Sequence, residues 1–117
     1  MLALSSSRRY FLYGNISDMR KGFDSLSGIV RDELKQNPLS GDIFIFFNRR
    51  RNQIKLLLFE GDGFSMYYKR LEKGTYEIPV SENSSASIQI KSDELSLILQ
   101  GISLISVRRR PRYKNTL

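Results

Sequence analysis

The chain contains no cysteine and no histidine among its 117 residues. Without cysteine it has no disulfide framework, no thiolate nucleophile and no cysteine-based metal site. Without histidine it lacks the usual general base near neutral pH, every Ser-His or Cys-His nucleophilic pair, and the commonest transition-metal ligand. We therefore expect a protein that is not an enzyme, that has no small-molecule substrate, and that needs no metal or other cofactor.

Long apolar stretches are also missing, since the longest runs are five or six residues against the roughly 20 that a membrane span needs. The first residues lack the apolar core and cleavage signal of a secretory peptide. We therefore expect a cytoplasmic protein without a membrane partner. The length favours one domain, and a chain of this size can bury a substantial core.

Two local patterns predict the first half of the fold. Apolar residues at helical spacing, after a possible N-cap at Ser17 and before Asn37-Pro38, predict an amphipathic helix over residues 18–36. Phe23 and Leu26 are expected in its packed face. The apolar runs 43–47 and 54–59 flank a polar, arginine-rich turn and predict a central β-hairpin.

Shorter segments complete the expected fold. Strands are predicted at 10–13, 64–71, 76–80 and 87–91, and a short helix should follow Ser92 and end at Gly101. The fold class is therefore α+β: a largely antiparallel sheet of about five strands, with one long amphipathic helix and one short C-terminal helix. We expect one domain over residues 1–107 and a basic tail over 108–117. Gly22 and Gly28 are expected where the long helix packs closely on the sheet.

The positive charge is clustered. Nineteen Lys and Arg stand against twelve Asp and Glu, a formal net charge of +7, and arginine is suited to bidentate phosphate binding. Arg8-Arg9 form one of the clusters. The clustered cations that we expect to contact nucleic acid are Arg20, Lys21, Arg49, Arg50, Arg51, Lys69, Arg70, Arg108, Arg109, Arg110, Arg112 and Lys114. Such contacts would give affinity without sequence choice. Two alternatives remain open: a solvated, solubilising surface, and contact with an acidic protein.

A carboxylate-based nuclease site is the enzymatic alternative, because metal-ion catalysis needs several acidic side chains that converge on one point. The residues to test are Asp18, Asp24, Asp42, Glu60 and Asp62. Most have simpler explanations. Asp18 suits the positive end of a helix dipole, Asp24 lies four residues after Arg20 and could pair with it, and Asp62 lies between two turn glycines.

Three segments carry a family resemblance. They are DMRKGFDSLSGIV at 18–30, PLSGDIFIFFNRRR at 38–51, and DGF at 62–64 running into YKRLEKG at 68–74. In this order and spacing the chain resembles the small accessory protein, often labelled TnpB, that the second reading frame of insertion-sequence-66 elements encodes. The resemblance covers about residues 8–104.

This resemblance implies a protein of bacterial mobile DNA, encoded beside a separate, larger transposase that carries the catalytic residues. We therefore expect a non-catalytic accessory protein of DNA transposition that contacts DNA phosphates through its clustered cations. The alternative is an adaptor that docks on the transposase without touching DNA. The expected partners are accordingly the DNA of the element and the transposase, and we expect the protein to be associated at most with the bacterial nucleoid.

Overall fold

A computed structural model describes residues 4–79 and 86–101. They form five strands and two helices, in the order β1 (Tyr10–Ile16), α1 (Phe23–Asp32), β2 (Ile43–Phe47), β3 (Gln53–Phe59), β4 (Phe64–Arg70), β5 (Ser87–Ile90) and α2 (Ser92–Leu99). The strands build one sheet in the order β4-β3-β2-β1-β5. The expected α+β content is confirmed, and so are the β2–β3 hairpin and its central place in the sheet.

The sheet is mixed, so the expectation of a largely antiparallel sheet was wrong. β1 and β2 run parallel, whereas β1–β5, β2–β3 and β3–β4 are antiparallel. The reason lies in the connection. Parallel neighbours need a crossover of a dozen or more residues, usually helical, and the segment between β1 and β2 supplies it through α1. The alternation of apolar side chains cannot distinguish the two directions.

Each face of the sheet packs against one helix. On the α1 face, Leu26, Val30 and Leu34 pack with Phe44 and Phe46 of β2. On the α2 face, the same strand contributes its alternate residues, which lie with Leu95 and Ile98 of α2. Because β2 is buried on both sides, all five of its residues are apolar and inaccessible. Because successive side chains of a strand point to opposite faces, adjacent residues of the edge strand β4 also lie on different faces of the sheet.

α1 is shorter than the predicted 18–36. The Asp18 side chain accepts a hydrogen bond from the Arg20 N–H at 2.9 Å, which forms a local turn that competes with helix. The helix begins only after Gly22, its N-cap. The buried Oγ of Ser17 has no partner among the described residues, so Ser17 does not cap the helix as expected. At the other end, Lys35 adopts a left-handed φ of 57° and turns the chain away.

Three packing expectations on this helix were tested. Leu26 is fully buried, as expected, but Phe23 is 45% exposed because it lies in the first turn at the margin of the sheet. Close helix–sheet packing at the glycines was wrong. A Cβ on Gly22 would meet nothing within 4 Å, and a Cβ on Gly28 would meet only the Arg31 side chain.

Two remaining strand and helix predictions had different outcomes. Residues 76–79 form no strand, although Tyr76 is buried and its ring packs on Phe47, 5.6 Å between centroids. Gly101 has φ 77° and directly follows the last turn of α2, as the predicted helix stop requires. The expected tail at 108–117 lies outside the described residues.

Candidate nucleic-acid interface

The β2–β3 turn presents two arginines on a hydrogen-bonded frame. The Asn48 side-chain oxygen accepts the N–H groups of Asn52 at 3.1 Å and Gln53 at 2.9 Å, and its amide donates to the Asn52 side chain. Arg51 occupies the left-handed position that closes this turn, with φ 58°. Arg49 and Arg50 therefore stand at the tip of the hairpin, and both side chains are exposed.

The segment after β1 brings Arg20 to the same end of the sheet. The Ser17 N–H continues the strand pairing by donating to Phe47 O at 2.8 Å, so the segment starts beside the end of β2. Asp18 and Arg20 then form an ion pair with a closest distance of 2.7 Å. Hydrogen bonds from the Arg20 guanidinium, followed by that from its backbone N–H, lower the pKa of Asp18 to about 2. The carboxylate is ionised throughout the neutral range.

The buried side chain of Lys55, on β3, anchors the segment that carries Arg20. The sequence analysis did not identify this role. Lys55 is only 6% exposed, and its Nζ donates to the carbonyls of Met19 at 2.7 Å and Lys21 at 2.9 Å. These two bonds flank Arg20 and hold its backbone over the sheet. The available signal was a single charged residue interrupting the apolar run of β3, since a buried lysine must find acceptors.

β4 separates the predicted Lys69-Arg70 pair. Arg70 lies opposite Gln53, and Tyr68 lies opposite Lys55, on the α1 face. Lys69 lies opposite Ile54, whose side chain belongs to the core of the α2 face. Adjacent strand residues alternate between faces. Arg70 consequently joins the hairpin tip, and Lys69 points away from it.

These three segments line an open groove of about 770 Å³. We call it the arginine groove, after its four arginines: Arg20, Arg49, Arg50 and Arg70. The other lining residues are Ile16, Ser17, Asp18, Met19, Asn48, Gln53 and Tyr68. Four cations against one carboxylate give the groove a strongly positive potential.

The four arginines differ in how far their charge is already neutralised. Arg20 is paired with Asp18, and Arg70 lies 3.6 Å from Glu72 in an exposed, weak pair. Neither Arg49 nor Arg50 has an ion pair with any residue in the described part of the chain. The tip of the hairpin therefore carries the positive charge that is most available to an external anion.

Arg8 and Arg9 do not belong to the arginine groove. They line a second cavity of about 630 Å³, together with Lys91 and Asp93 beside the start of α2. Arg9 donates two hydrogen bonds to Asp42, at 3.1 and 2.8 Å, and Arg8 donates to Gly41 O at 2.7 Å. Asp42 lies in turn within 3.0 Å of the Ser40 hydroxyl, which donates to it. These arginines attach the N-terminal segment to the loop before β2.

Some predicted cations lie elsewhere. Lys21 and Arg51 are exposed but do not line the groove. The tail residues lie outside the described part of the chain; they are Arg108, Arg109, Arg110, Arg112 and Lys114. The structure thus brings together Arg20, Arg49, Arg50 and Arg70, from positions up to 50 residues apart in the numbering.

The five carboxylates of the nuclease alternative are dispersed among different contacts. Asp18 pairs with Arg20 rather than serving the helix, and the expected Arg20–Asp24 pair is replaced by this one. Asp42 is occupied by Arg9, and Glu60 accepts a hydrogen bond from Ser65. Over residues 4–79 and 86–101, no group of three or more Asp, Glu, His or Cys side chains is placed to hold a metal ion.

Comparison with known proteins places this chain among proteins of insertion sequences. A family model described as "IS66 Orf2 like protein" matches residues 8–109. Two curated proteins of Sinorhizobium fredii (strain NBRC 101917 / NGR234) are similar to the chain. The uncharacterized protein y4hO is 35% identical over 102 residues, which is 87% of each chain. The uncharacterized protein y4jC is 27% identical over 116 residues, 99% of this chain and 97% of its own.

No solved structure gives a significant match. Neither helix of the described residues has the length and apolar character that crossing a bilayer requires.

Proposed function

The chain belongs to the family of IS66 Orf2-like proteins, and from this premise we propose that it is a non-catalytic accessory protein of DNA transposition that binds DNA phosphates in the arginine groove. The observation that carries the proposal is the convergence of four arginines from three separate segments. Packing does not require this convergence, because like charges repel one another. A bound polyanion would compensate them.

The geometry favours phosphate contact in two ways. Arg49 and Arg50 stand on a turn that Asn48 braces through three side-chain hydrogen bonds, so binding need not order that backbone. Arg20 comes from the segment after β1 and Arg70 from β4, and both line the same groove as the hairpin tip, so more than one phosphate of a polyanion could be contacted at once. Such contacts fix position on a nucleic acid and carry no sequence information themselves.

The proposed role is to position or stabilise DNA for the separate transposase. The basic tail at 108–117 would add a sequence-independent electrostatic tether. In the proposed arrangement, chemistry belongs to the transposase and this chain supplies binding.

The test is a fluorescence-anisotropy titration of labelled DNA with the full chain and with Arg49→Gln/Arg50→Gln. We expect the double variant to lose about 20- to 30-fold in affinity near 0.15 M salt, since each lost phosphate contact costs about fivefold. The matched control is Arg31→Gln/Lys35→Gln, which removes two cations from the last turn of α1 and from the turn that follows it, outside the groove. The proposal is wrong if both double variants lose the same affinity.

The adaptor alternative makes a different prediction. An adaptor would co-purify with the transposase in the presence of nuclease, and Arg49→Gln/Arg50→Gln would leave DNA affinity unchanged. That combination of results would replace DNA binding with protein docking as the function of this surface.

A further inference from the structure

One half-exposed aromatic side chain lines the arginine groove. The side chain of Tyr68 lines the groove, and the residue is 52% exposed. Tyr67, its neighbour on β4, instead packs against the core of the α2 face.

The ring of Tyr68 is held in one orientation. The Lys55 ammonium lies 4.6 Å from the ring centroid, a cation–π distance, and the Tyr68 hydroxyl donates to the side-chain oxygen of Gln53. Lys55 is itself fixed by two backbone carbonyls. Protein therefore backs the ring on the Lys55 side, while the residue stays 52% exposed in the lining of the groove.

This arrangement fits an unpaired base better than a duplex. In duplex DNA the faces of the bases are stacked on one another, and an approaching protein meets phosphates and groove edges. In a single strand the faces are free, and proteins bind them by combining a cationic groove with aromatic platforms. Ile16, also 52% exposed, lines the same groove. It offers a second apolar surface, which could contact a base but has no use in binding a phosphate.

We infer that the arginine groove binds single-stranded DNA, with one unpaired base stacked on Tyr68 while Arg49, Arg50 and Arg70 hold the neighbouring phosphates. This inference rests on the proposed function and specifies its partner. Arg70 is two residues from Tyr68 on the same face of β4, so a stacked base and its own phosphate lie within reach of one another. Lys55 acts as a positioning residue that orients the ring and the Arg20 segment together.

The experiment compares three ligands with equal numbers of phosphates: an oligothymidine, the same strand with abasic sites, and a duplex. The proteins are the full chain, Tyr68→Leu and Tyr68→Phe, each checked for native folding by circular dichroism. Because a base stacked on an aromatic ring contributes directly to affinity, we expect Tyr68→Leu to lose about tenfold in affinity for oligothymidine. Tyr68→Phe, which keeps the ring, should bind oligothymidine like the full chain.

The abasic strand separates stacking from charge. The full chain should bind it about tenfold more weakly than oligothymidine, and Tyr68→Leu should bind the two strands equally. Duplex affinity should not change in Tyr68→Leu. The inference is overturned if Tyr68→Leu keeps its affinity for oligothymidine or loses as much on the duplex. In that event Arg49→Gln/Arg50→Gln still decides the proposed function, because those residues contact phosphates on either ligand.

Discussion

Two of the arginine clusters, Arg8-Arg9 and Arg49-Arg50, look alike in the sequence and differ in the structure. Arg8-Arg9 and Arg49-Arg50 are both exposed pairs beside an end of the central sheet. Arg8 donates a hydrogen bond to a backbone carbonyl, and Arg9 donates two to Asp42. Arg49 and Arg50, by contrast, have no ion pair among the described residues. Arg8 and Arg9 therefore attach the N-terminal segment to the loop before β2, whereas the charges of Arg49 and Arg50 are free of ion pairs within residues 4–79 and 86–101.

Clustered charge therefore indicates a binding surface only where the fold leaves the charge without a partner. Asp42 has a side chain that is 10% exposed, and its hydrogen bonds raise the pKa of Arg9. The hairpin tip contains Asn48 and Asn52, which brace the backbone without neutralising the arginines. Because these amides are neutral, they leave the positive charge of Arg49 and Arg50 uncompensated within the turn.

The largest expected effect is on the structural cluster. Asp42→Ala removes the acceptor of both Arg9 hydrogen bonds and of the Ser40 hydroxyl, and it should lower the free energy of unfolding by about 2 kcal/mol. Affinity for DNA should stay unchanged, because Asp42 is remote from the arginine groove. Chemical denaturation and anisotropy together measure both quantities. A variant with normal stability, or with altered DNA affinity, would contradict the division between the clusters.

A matched pair of single variants tests the same division directly. Arg50→Gln and Arg8→Gln each remove one positive charge, so net-charge effects are equal. We expect Arg50→Gln to weaken DNA binding about fivefold near 0.15 M salt and Arg8→Gln to leave it unchanged. Equal losses in the two titrations would show that total charge, rather than the groove, determines affinity.

The smallest expected effect sharpens the comparison inside the groove. Asp18→Asn keeps an acceptor for the Arg20 N–H but removes the carboxylate, so we expect DNA affinity to rise by about twofold, within the range of an exposed ion pair. The pKa of Asp18 is about 2 against a usual 3.8. Its contribution to stability is therefore present above pH 3.8 and is lost as the pH falls toward 2.

Acid titration of stability is the second measurement on this variant. Asp18→Asn should flatten the decline in stability between pH 4 and 2, since the depressed pKa is removed with the carboxylate. An unchanged acid profile together with unchanged affinity would mean that Asp18 does not restrain Arg20.

Much of the fold could be predicted because local patterns determine it. The unbroken apolar runs of β2 and β3 require burial on two faces, and the polar turn between them requires a hairpin. Strand direction was not predictable, since the β1–β2 pairing depends on where the α1 crossover returns the chain. The start of α1 was missed because Asp18 forms its own turn with Arg20, and that local bond outweighs the helical spacing of residues 19–22.

The candidate site could be predicted only in part, because the sequence shows which cations are clustered but not which of them the fold brings together. Clustering identified Arg20, Arg49, Arg50 and Arg70, but only the fold selects them from their neighbours. Because side chains alternate along β4, Lys69 lies on the face opposite Arg70. Arg20 lies near the hairpin because β1 pairs with β2 in parallel, which the sequence pattern did not reveal. Lys55 was overlooked because its importance lies in two backbone carbonyls, which no side-chain motif records.

The most direct test of the central claim is the salt dependence of DNA binding in the full chain and in Arg49→Gln/Arg50→Gln. If the two arginines neutralise phosphates, the slope of log affinity against log salt should become shallower by about 2 on duplex DNA. Arg8→Gln should leave the slope unchanged. An identical slope in the full chain and in Arg49→Gln/Arg50→Gln would mean that the hairpin tip releases no counterions, and the arginine groove would not be the DNA-binding surface.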